Sequence, residues 1–454
     1  MAANSTPGGG DSAKPARAGA TKAGSSARKA GAGKAATKSK PAKASTAKAV
    51  TSKAAPRKPA PGKAAPGKAT PGKAASRKAA SRKAASQKAA GTKAARVKAA
   101  PAKAAARTRA RPAERSSGDG LTVVITGPTG EMGQSVVRSL ERSPEVGRIL
   151  GMARRPFDPA SRGWKKVSYR RGDVLDRRRV ANLIEDADVV VHLAFIIMGS
   201  AKESRRVNLR GSRNVFEAAA NAGVKRLVYA SSVAAYGFHA DNPQPLTEDV
   251  PARGTAAHYY SAQKAEVEEL LADALHASGT ASYVFRPSIV GGPEAPLLID
   301  SLPYTQISER LPGPVMSLLD GVPILKPVLP DPGVPFQLVH HDDVASAMRA
   351  AVLGRGEPGV YNLAGAGELT VKGLAEALGW YSIPVPDLAV DAIAQLIARL
   401  GFLPAQAQWI AAFREPVLMD TSKARRLLGW RPRHDAAETL AETITASRMD
   451  NIIR

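Results

Sequence analysis

Two short segments of this 454-residue chain carry side chains whose types and spacing suit proton transfer. Residues 258–264 place Tyr260 four positions before Lys264, so both side chains share one face if the segment is helical. A phenol has a pKa near 10, too high for a base at neutral pH, and a neighbouring ammonium lowers it. Ser232 ends an apolar run, and its hydroxyl can hydrogen-bond a substrate oxygen. These three residues are the candidate catalytic groups; the alternative is a surface lysine beside a packed tyrosine.

A glycine-rich turn between an apolar run and a helical pattern indicates a dinucleotide site. The spacing of its three glycines allows a tight turn, close approach of backbone to a diphosphate, and close packing of helix on strand. The diphosphate would lie on the free N–H groups at the helix N-terminus. The predicted cofactor contacts in this turn are Gly127, Thr129, Gly130, Glu131, Met132 and Gly133.

The elements that must position these motifs follow from the alternation of β-rich runs with helical patterns. The β-rich runs are 122–126, 148–152, 188–193, 226–230 and 282–286, and helical spacing is found over 207–220 and 262–275. This alternation predicts an α/β fold with a Rossmann-type, doubly wound parallel sheet. Ten prolines in residues 291–335 then favour a smaller C-terminal substrate lobe. Apolar spacing over 387–400 predicts an amphipathic helix packed over a pocket.

The first 119 residues differ in composition from the remainder. They hold 29 of the 66 Lys and Arg residues but three acids, which accounts for +26 of the net charge of +27. They contain no Phe, Tyr, Trp, Leu or Ile, and lysine recurs at every fifth position from Lys38 to Lys103. Because nothing here can form a core, we predict that residues 1–119 are a disordered polycationic arm. Its composition resembles that of linker-histone tails.

Lysines at this regular spacing suit non-specific contact with the phosphates of a nucleic acid. The alternatives are a solubilising extension and an organelle transit peptide, and the lysine dominance and length argue against the latter.

Residues 120–290 are the predicted NAD(P)-binding domain. Residues 291–454 are predicted to form mainly the substrate lobe, with some segments returning to the sheet.

The composition also excludes several classes of protein. The absence of cysteine excludes disulfides and thiolate zinc sites. No apolar stretch is long enough to span a bilayer, and the N-terminus lacks the apolar core of a secretory signal. We therefore expect a cytoplasmic protein without a membrane partner, associated with the nucleoid if the arm binds DNA.

Together these residues resemble the extended short-chain dehydrogenase/reductase family, the NAD(P)-dependent epimerase/dehydratase type, over nearly the whole chain after residue 120. Besides the residues above, the resemblance depends on the motifs Gly172-Asp173-Val174, His192-Leu193-Ala194, Val207-Asn208-Leu209, Arg286-Pro287, residues 339–344 and Leu428-Gly429-Trp430. It implies that Ser232 polarises a substrate oxygen, that Tyr260 is the acid/base, and that Lys264 holds the nicotinamide ribose. It implies further cofactor contacts at Asp173, which would meet the adenine, and at Val174, Leu193, Ala194, Asn208 and Pro287. A homodimer is compatible with it.

The end of the second predicted strand bears on the choice of cofactor. Relatives that prefer NAD usually carry an acid there, whereas this chain has Ala153 followed by Arg154 and Arg155. Arginine at this place accommodates a 2′-phosphate. We predict that NADP is favoured, with NAD as the alternative if the two arginines are solvated loop charges.

Departures from the family pattern narrow the reaction. Family dehydratases carry an Asp-Glu pair after the catalytic hydroxyl, where this chain has Val233-Ala234, so dehydration is disfavoured. This leaves an epimerase or oxidoreductase that transfers hydride at a carbinol or carbonyl. Its small-molecule substrate is a nucleotide sugar or, because the lobe is apolar with few basic residues, an apolar non-sugar compound. A non-catalytic, cofactor-sensing protein tethered to DNA is a third hypothesis, which the complete catalytic set disfavours.

A histidine-rich block at 340–343 raises the question of a metal. It matches a family block at a helix start, where Asp342 would cap the helix, so no metal site is predicted.

Overall fold

The computed structural model describes residues 120–302, 304–305, 326–386 and 414–453. The strands of this part are β1 (Leu121–Thr126), β2 (Val146–Ala153), β3 (Val167–Arg171), β4 (Val189–His192), β5 (Arg226–Ala230), β6 (Ala281–Pro287), β7 (Ile289–Gly291), β8 (Val328–Asp331), β9 (Leu338–His340), β10 (Gly359–Leu363) and β11 (Tyr381–Pro384). The α-helices are α1 (Glu131–Glu141), α2 (Arg177–Ile184), α3 (Ala201–Arg205), α4 (Ser212–Ala222), α5 (Tyr259–Leu275), α6 (Leu297–Asp300), α7 (His341–Val352), α8 (Val371–Leu378), α9 (Ser422–Leu427) and α10 (Ala436–Met449). Short 3₁₀ helices span Pro159–Arg162 and Val233–Tyr236, and a π-helical turn spans Arg206–Gly211.

The central sheet has seven strands in the order β10-β6-β5-β4-β1-β2-β3, and its neighbouring strands all pair in parallel. This confirms the predicted α/β class and the Rossmann-type sheet. All five predicted β-rich runs form strands of this sheet, whereas β3 and β10 were not predicted. Two further parallel pairs, β8 with β11 and β7 with β9, lie outside the central sheet.

Both faces of the central sheet are covered, which is why its inner strands, such as β1 and β4, are almost entirely buried and largely apolar. Successive residues of β1 point to opposite faces: Val123 belongs to a core formed with α1 and α7, and Val124 to a core formed with α2, α4 and α5. A third core joins α8, α10 and β9 in the C-terminal part of the chain. The carboxyl ends of the parallel strands meet at one edge of the sheet, and the predicted functional motifs all follow them.

Some predictions fall outside the described residues: the arm at 1–119, much of the proline-rich segment 291–335, and the amphipathic helix at 387–400. In the described part of that proline-rich segment, α6 and β8 are the regular elements that follow β7. None of the helices in the described part is long and apolar enough to cross a membrane.

Candidate active site

The turn between β1 and α1 has the backbone geometry of a diphosphate cradle. Gly127 adopts φ +77° and donates its N–H to the Met152 carbonyl at 2.9 Å. A Cβ on Gly133 would lie 2.2 Å from the carbonyl oxygen of Gly127, so this close approach of helix to turn requires glycine. α1 begins after Gly130 without a side-chain cap, which leaves its first N–H groups for an anion. The residues present therefore fit a dinucleotide diphosphate.

Glu131 contributes something that the glycine pattern did not predict. Its side chain turns towards α6, where Oε1 accepts a hydrogen bond from the Leu297 N–H at 3.1 Å. Burial raises the pKa of this carboxyl to about 7; the Leu297 hydrogen bond opposes the shift, and the charge of Asp300 adds to it. The backbone of Glu131 therefore remains at the cradle, while its side chain contacts the segment that follows β7. Thr129 and Met132 beside it are half-buried.

The end of β2 presents two arginines to solvent. Arg154 and Arg155 are exposed, and their backbone carbonyls accept hydrogen bonds from Arg171 and Tyr169, respectively, on β3. No carboxylate within the described ranges forms an ion pair with either guanidinium. The backbone at this corner is therefore fixed, while both positive charges remain available to a ligand.

Asp173 and Val174 follow β3 at the same edge of the sheet. The carboxylate of Asp173 accepts the Leu175 N–H at 2.9 Å, and the side chain is half-buried. Val174 is buried, and its carbonyl accepts a hydrogen bond from Asn214 at 2.9 Å. Their contact with the adenine stays a prediction.

The loop after β4 is held by a buried asparagine. Asn208, in the π-helical turn, accepts the Ile196 N–H at 2.8 Å and donates to the Ile196 carbonyl at 3.0 Å. Its amide also donates to the side chain of Gln263 at 2.8 Å. Asn208 thus positions the loop that contains Leu193 and Ala194, and its predicted contact with the cofactor is untested. Pro287, at the end of β6, pairs with Leu363 of β10.

The three candidate catalytic residues come together between β5 and α5. Ser232 caps the 3₁₀ helix after β5 by accepting the Ala234 N–H at 3.2 Å, and its hydroxyl lies near enough to Tyr260 to lower the pKa of that phenol. Lys264 lies one helical turn after Tyr260, and its Nζ donates to the Ala230 carbonyl at 2.7 Å. The Nζ lies 5.8 Å from the centroid of the Tyr260 ring. His258 caps α5 by accepting the Ser261 N–H at 3.2 Å, which fixes where the helix begins.

The expectation that the Lys264 ammonium lowers the pKa of Tyr260 is wrong. Burial raises the pKa of Tyr260 to about 12, although the Ser232 hydroxyl works in the opposite direction. Burial also lowers the pKa of Lys264 to about 7, with the charge of Glu268 opposing that shift. Desolvation of both groups therefore outweighs the stabilisation of the phenolate by the ammonium.

A buried ion pair behind the catalytic residues was missed by the motif analysis. Glu268 bonds Arg286 through Nη2 at 2.6 Å and Nε at 3.0 Å, and accepts the Ser231 hydroxyl at 2.5 Å. The available signal was spacing, because Tyr260, Lys264 and Glu268 recur every four residues along one face of α5. The pair joins α5, β6 and the residue before Ser232.

The histidine block folds differently from the expectation. His340, not Asp342, caps α7, by accepting the Asp342 N–H through Nδ1 at 3.2 Å. His340 stacks on His434 with ring centroids 3.9 Å apart and planes 26° apart. Two metal-bound imidazoles must both contain the ion in their ring planes, which stacked rings do not allow. The grouping of His340, His434 and Glu442 is therefore unsuited to a metal, despite the proximity of its ligand atoms.

The fold and this constellation define a dinucleotide-binding enzyme with a serine, tyrosine and lysine at the end of its sheet. The sequence profile of the NAD dependent epimerase/dehydratase family matches residues 123–364. This chain belongs to that family. It is an enzyme of the epimerase/dehydratase type.

Individual relatives agree with this assignment. The chain is 29% identical over 358 residues to a dTDP-glucose 4,6-dehydratase of Streptomyces antibioticus, covering 71% of this chain and 91% of the relative. It is 32% identical over 177 residues to human 3 beta-hydroxysteroid dehydrogenase type 7, covering 36% of this chain and 47% of the relative. The crystal structure of DesIV, a dTDP-glucose 4,6-dehydratase from Streptomyces venezuelae with NAD and TYD bound, superposes with a TM-score of 0.56 at 22% identity. That match covers 73% of this chain and 98% of the other, and supports the fold.

Proposed function

We propose that this enzyme transfers hydride between NADP(H) and a carbinol or carbonyl carbon of a small molecule. The observation that carries the proposal is the assembly of three side chains: the Ser232 hydroxyl lies near enough to Tyr260 to lower the pKa of its phenol, and Lys264 lies one turn further along α5. A hydroxyl pair of this kind can bind one substrate oxygen between two groups. The cofactor, when bound, supplies or accepts the hydride.

Tyr260 and Ser232 are the proposed donors to the substrate oxygen. With its pKa near 12, Tyr260 is a neutral phenol at pH 7 and is ready to donate a proton. In the reducing direction a carbonyl carbon gains hydride, and its oxygen takes the Tyr260 proton, which solvent then replaces. Ser232 donates a hydrogen bond to the same oxygen as charge develops. Oxidation of a carbinol is the reverse, and requires the phenolate.

The 3₁₀ helix after Ser232 disfavours dehydration. Val233 and Ala234 occupy its start, and neither side chain can take up or supply a proton. Besides the cofactor, redox chemistry and epimerisation need only the three assembled groups, so they are the reactions that the site supports.

NADP is the proposed cofactor because the two arginines at the end of β2 are exposed and form no ion pair with any residue of the described ranges. Arginine binds phosphate with two parallel hydrogen bonds, and no acid is present there to receive a ribose 2′-hydroxyl. Replacing Arg154 and Arg155 by alanine is expected to weaken NADP⁺ binding by about tenfold or more and to leave NAD⁺ binding within about twofold. Calorimetric titration measures both, with the exposed Arg162→Ala as control. Equal losses for the two cofactors would contradict NADP specificity.

Two substrate classes have support. A nucleotide sugar is favoured by the relative from Streptomyces antibioticus, which matches over 91% of its length and is named for dTDP-glucose. An apolar carbonyl or carbinol compound is favoured by the loop after β4, where residues 195–198 (Phe, Ile, Ile, Met) are half-buried and Phe195 contacts Tyr260. Both compound sets are tested by cofactor absorbance, which detects net oxidation or reduction, and by chromatography of the products, which also detects epimerisation. The set that is turned over identifies the substrate class.

The catalytic proposal is tested with the Tyr260→Phe variant, which keeps the ring and removes the proton. Turnover of any substrate found in the screen should fall by about two to four orders of magnitude, while cofactor affinity is retained. Unchanged turnover would remove Tyr260 from the chemistry. Cofactor binding without turnover of any compound would favour the non-catalytic, cofactor-sensing alternative.

A further inference from the structure

The ring of Phe195 covers the ammonium of Lys264. Nζ lies 3.8 Å from the ring centroid, which is close cation–π contact. The same ring meets Tyr260 edge to face, with centroids 5.6 Å apart. Phe195 therefore lies against two of the three residues that the proposed chemistry requires, Lys264 and Tyr260.

This arrangement restricts the approach to the ammonium. Lys264 is 3% exposed, and one of its three donors is already used by the Ala230 carbonyl. A ribose hydroxyl must come within about 3.2 Å of Nζ to accept a hydrogen bond. The aromatic ring covers one side of the ammonium and the Ala230 carbonyl takes another, so the ring must move before a ribose can approach from the side that it covers.

The backbone around Phe195 is fixed on both sides, so the side chain is the part that can move. Before it, the Leu193 N–H donates to the Thr126 carbonyl at 3.0 Å. After it, Asn208 holds both backbone groups of Ile196 at 2.8 and 3.0 Å. The Tyr259 hydroxyl donates to the Ile197 carbonyl at 2.7 Å. Rotation about the side-chain torsions of one half-buried phenylalanine is a small movement compared with displacement of this loop.

We propose that the Phe195 ring occupies the place of the nicotinamide ribose on Lys264 and must rotate away before the cofactor is held there. The proposal rests on the proposed function, since it needs Lys264 to bind that ribose. Phe195 thereby reduces the affinity for the nicotinamide half of the dinucleotide and leaves the adenylate half unaffected. It is a positioning residue, because its effect is exerted through Lys264.

The test compares a whole dinucleotide with a fragment that lacks the nicotinamide riboside. Calorimetric titration of NADP⁺ and of 2′,5′-ADP is carried out on the full-length wild-type protein and on Phe195→Ala, Phe195→Leu and Phe195→Tyr. NAD⁺ with ADP serves as a parallel pair. Phe195→Ala and Phe195→Leu should bind the dinucleotide about tenfold more tightly, the factor expected for loss of a buried cation–π contact, and the fragment within about twofold of wild type. Phe195→Tyr retains the ring and should resemble wild type.

The outcomes separate this proposal from the proposed function. If wild type binds the dinucleotide but the alanine and leucine variants bind it equally well or more weakly, Phe195 does not oppose the ribose and the inference is overturned. An equal change in affinity for the dinucleotide and for the fragment also overturns the inference, because the substitution would then not act on the nicotinamide half alone. If wild type binds neither the dinucleotide nor the fragment, the result contradicts the proposed function itself. Thermal unfolding of each variant confirms that the compared proteins are folded.

Discussion

Replacing Lys264 by methionine should make the protein more stable at pH 7 and less stable at pH 10. The side chain is 3% exposed, and burial lowers the pKa of its ammonium from 10.5 to about 7, with Glu268 opposing the shift. At about 1.4 kcal/mol per pKa unit, folding with this lysine costs about 4 to 5 kcal/mol at pH 7. Methionine has a similar volume and no charge, so it removes that cost.

The gain is partly offset by the contact that methionine cannot make. Nζ of Lys264 donates to the Ala230 carbonyl at 2.7 Å, and an unsatisfied buried carbonyl costs about 1–3 kcal/mol. We therefore expect a net stabilisation of about 2 kcal/mol at pH 7 from Lys264→Met. Activity should be lost, since we propose that Lys264 holds the nicotinamide ribose.

The pH dependence of the stability difference between wild type and Lys264→Met tests the reasoning more directly than its size at pH 7. Between pH 7 and 10.5 the unfolded chain keeps the Lys264 proton and the folded protein has lost it, so wild-type stability rises with pH by about 1.4 kcal/mol per unit from this group. The variant lacks this contribution and should become the less stable protein by about 2 kcal/mol at pH 10. Below pH 7 both states bind the proton, and the difference should be constant.

Urea unfolding followed by tryptophan fluorescence at pH 6, 7, 8.5 and 10 measures these differences. The control is Lys202→Met, because it makes the same substitution at a lysine that is exposed on α3. A Lys264→Met protein whose stability relative to wild type is the same at pH 7 and pH 10 would refute the reasoning.

Three further predictions concern the cradle, the buried ion pair and the arm. Gly133→Ala places a Cβ 2.2 Å from a backbone oxygen, so the cofactor affinity measured by calorimetry should fall at least about 100-fold. The control is Gly279→Ala, which has open space around the new Cβ and should leave the cofactor affinity unchanged. Glu268→Gln leaves its arginine partner, 4% exposed, without a counter-ion, and urea unfolding should show a loss of about 3–5 kcal/mol; a loss below about 1 kcal/mol would contradict a buried pair. We propose that residues 1–119 bind DNA without sequence preference. In mobility-shift assays, the logarithm of the binding constant should fall with the logarithm of the salt concentration with a slope of roughly −7 if about eight phosphates are engaged. Equal binding by protein that lacks these residues would contradict the proposal.

Local sequence patterns predicted the framework of the site well. Strand runs, the glycine turn and the four-residue spacing of Tyr260 and Lys264 each depend on backbone geometry over a few residues, which sequence periodicity reports directly. Strand β3 was missed because its sequence, Val-Ser-Tyr-Arg-Arg, has little apolar character at the edge of the sheet. The seventh strand, β10, was missed because its place is set by pairing with β6, 72 or more residues earlier, and not by its own sequence.

The amino-acid sequence by itself determined the family, the sheet and the identity of the three catalytic candidates, because those depend on short-range spacing. The tertiary structure alone decided the direction of the Tyr260 and Lys264 pKa shifts, since desolvation depends on every atom packed around a group. It also decided that Phe195 lies on Lys264, a contact between residues 69 positions apart. Burial and long-range contact are properties of the packed chain, and no local pattern encodes them.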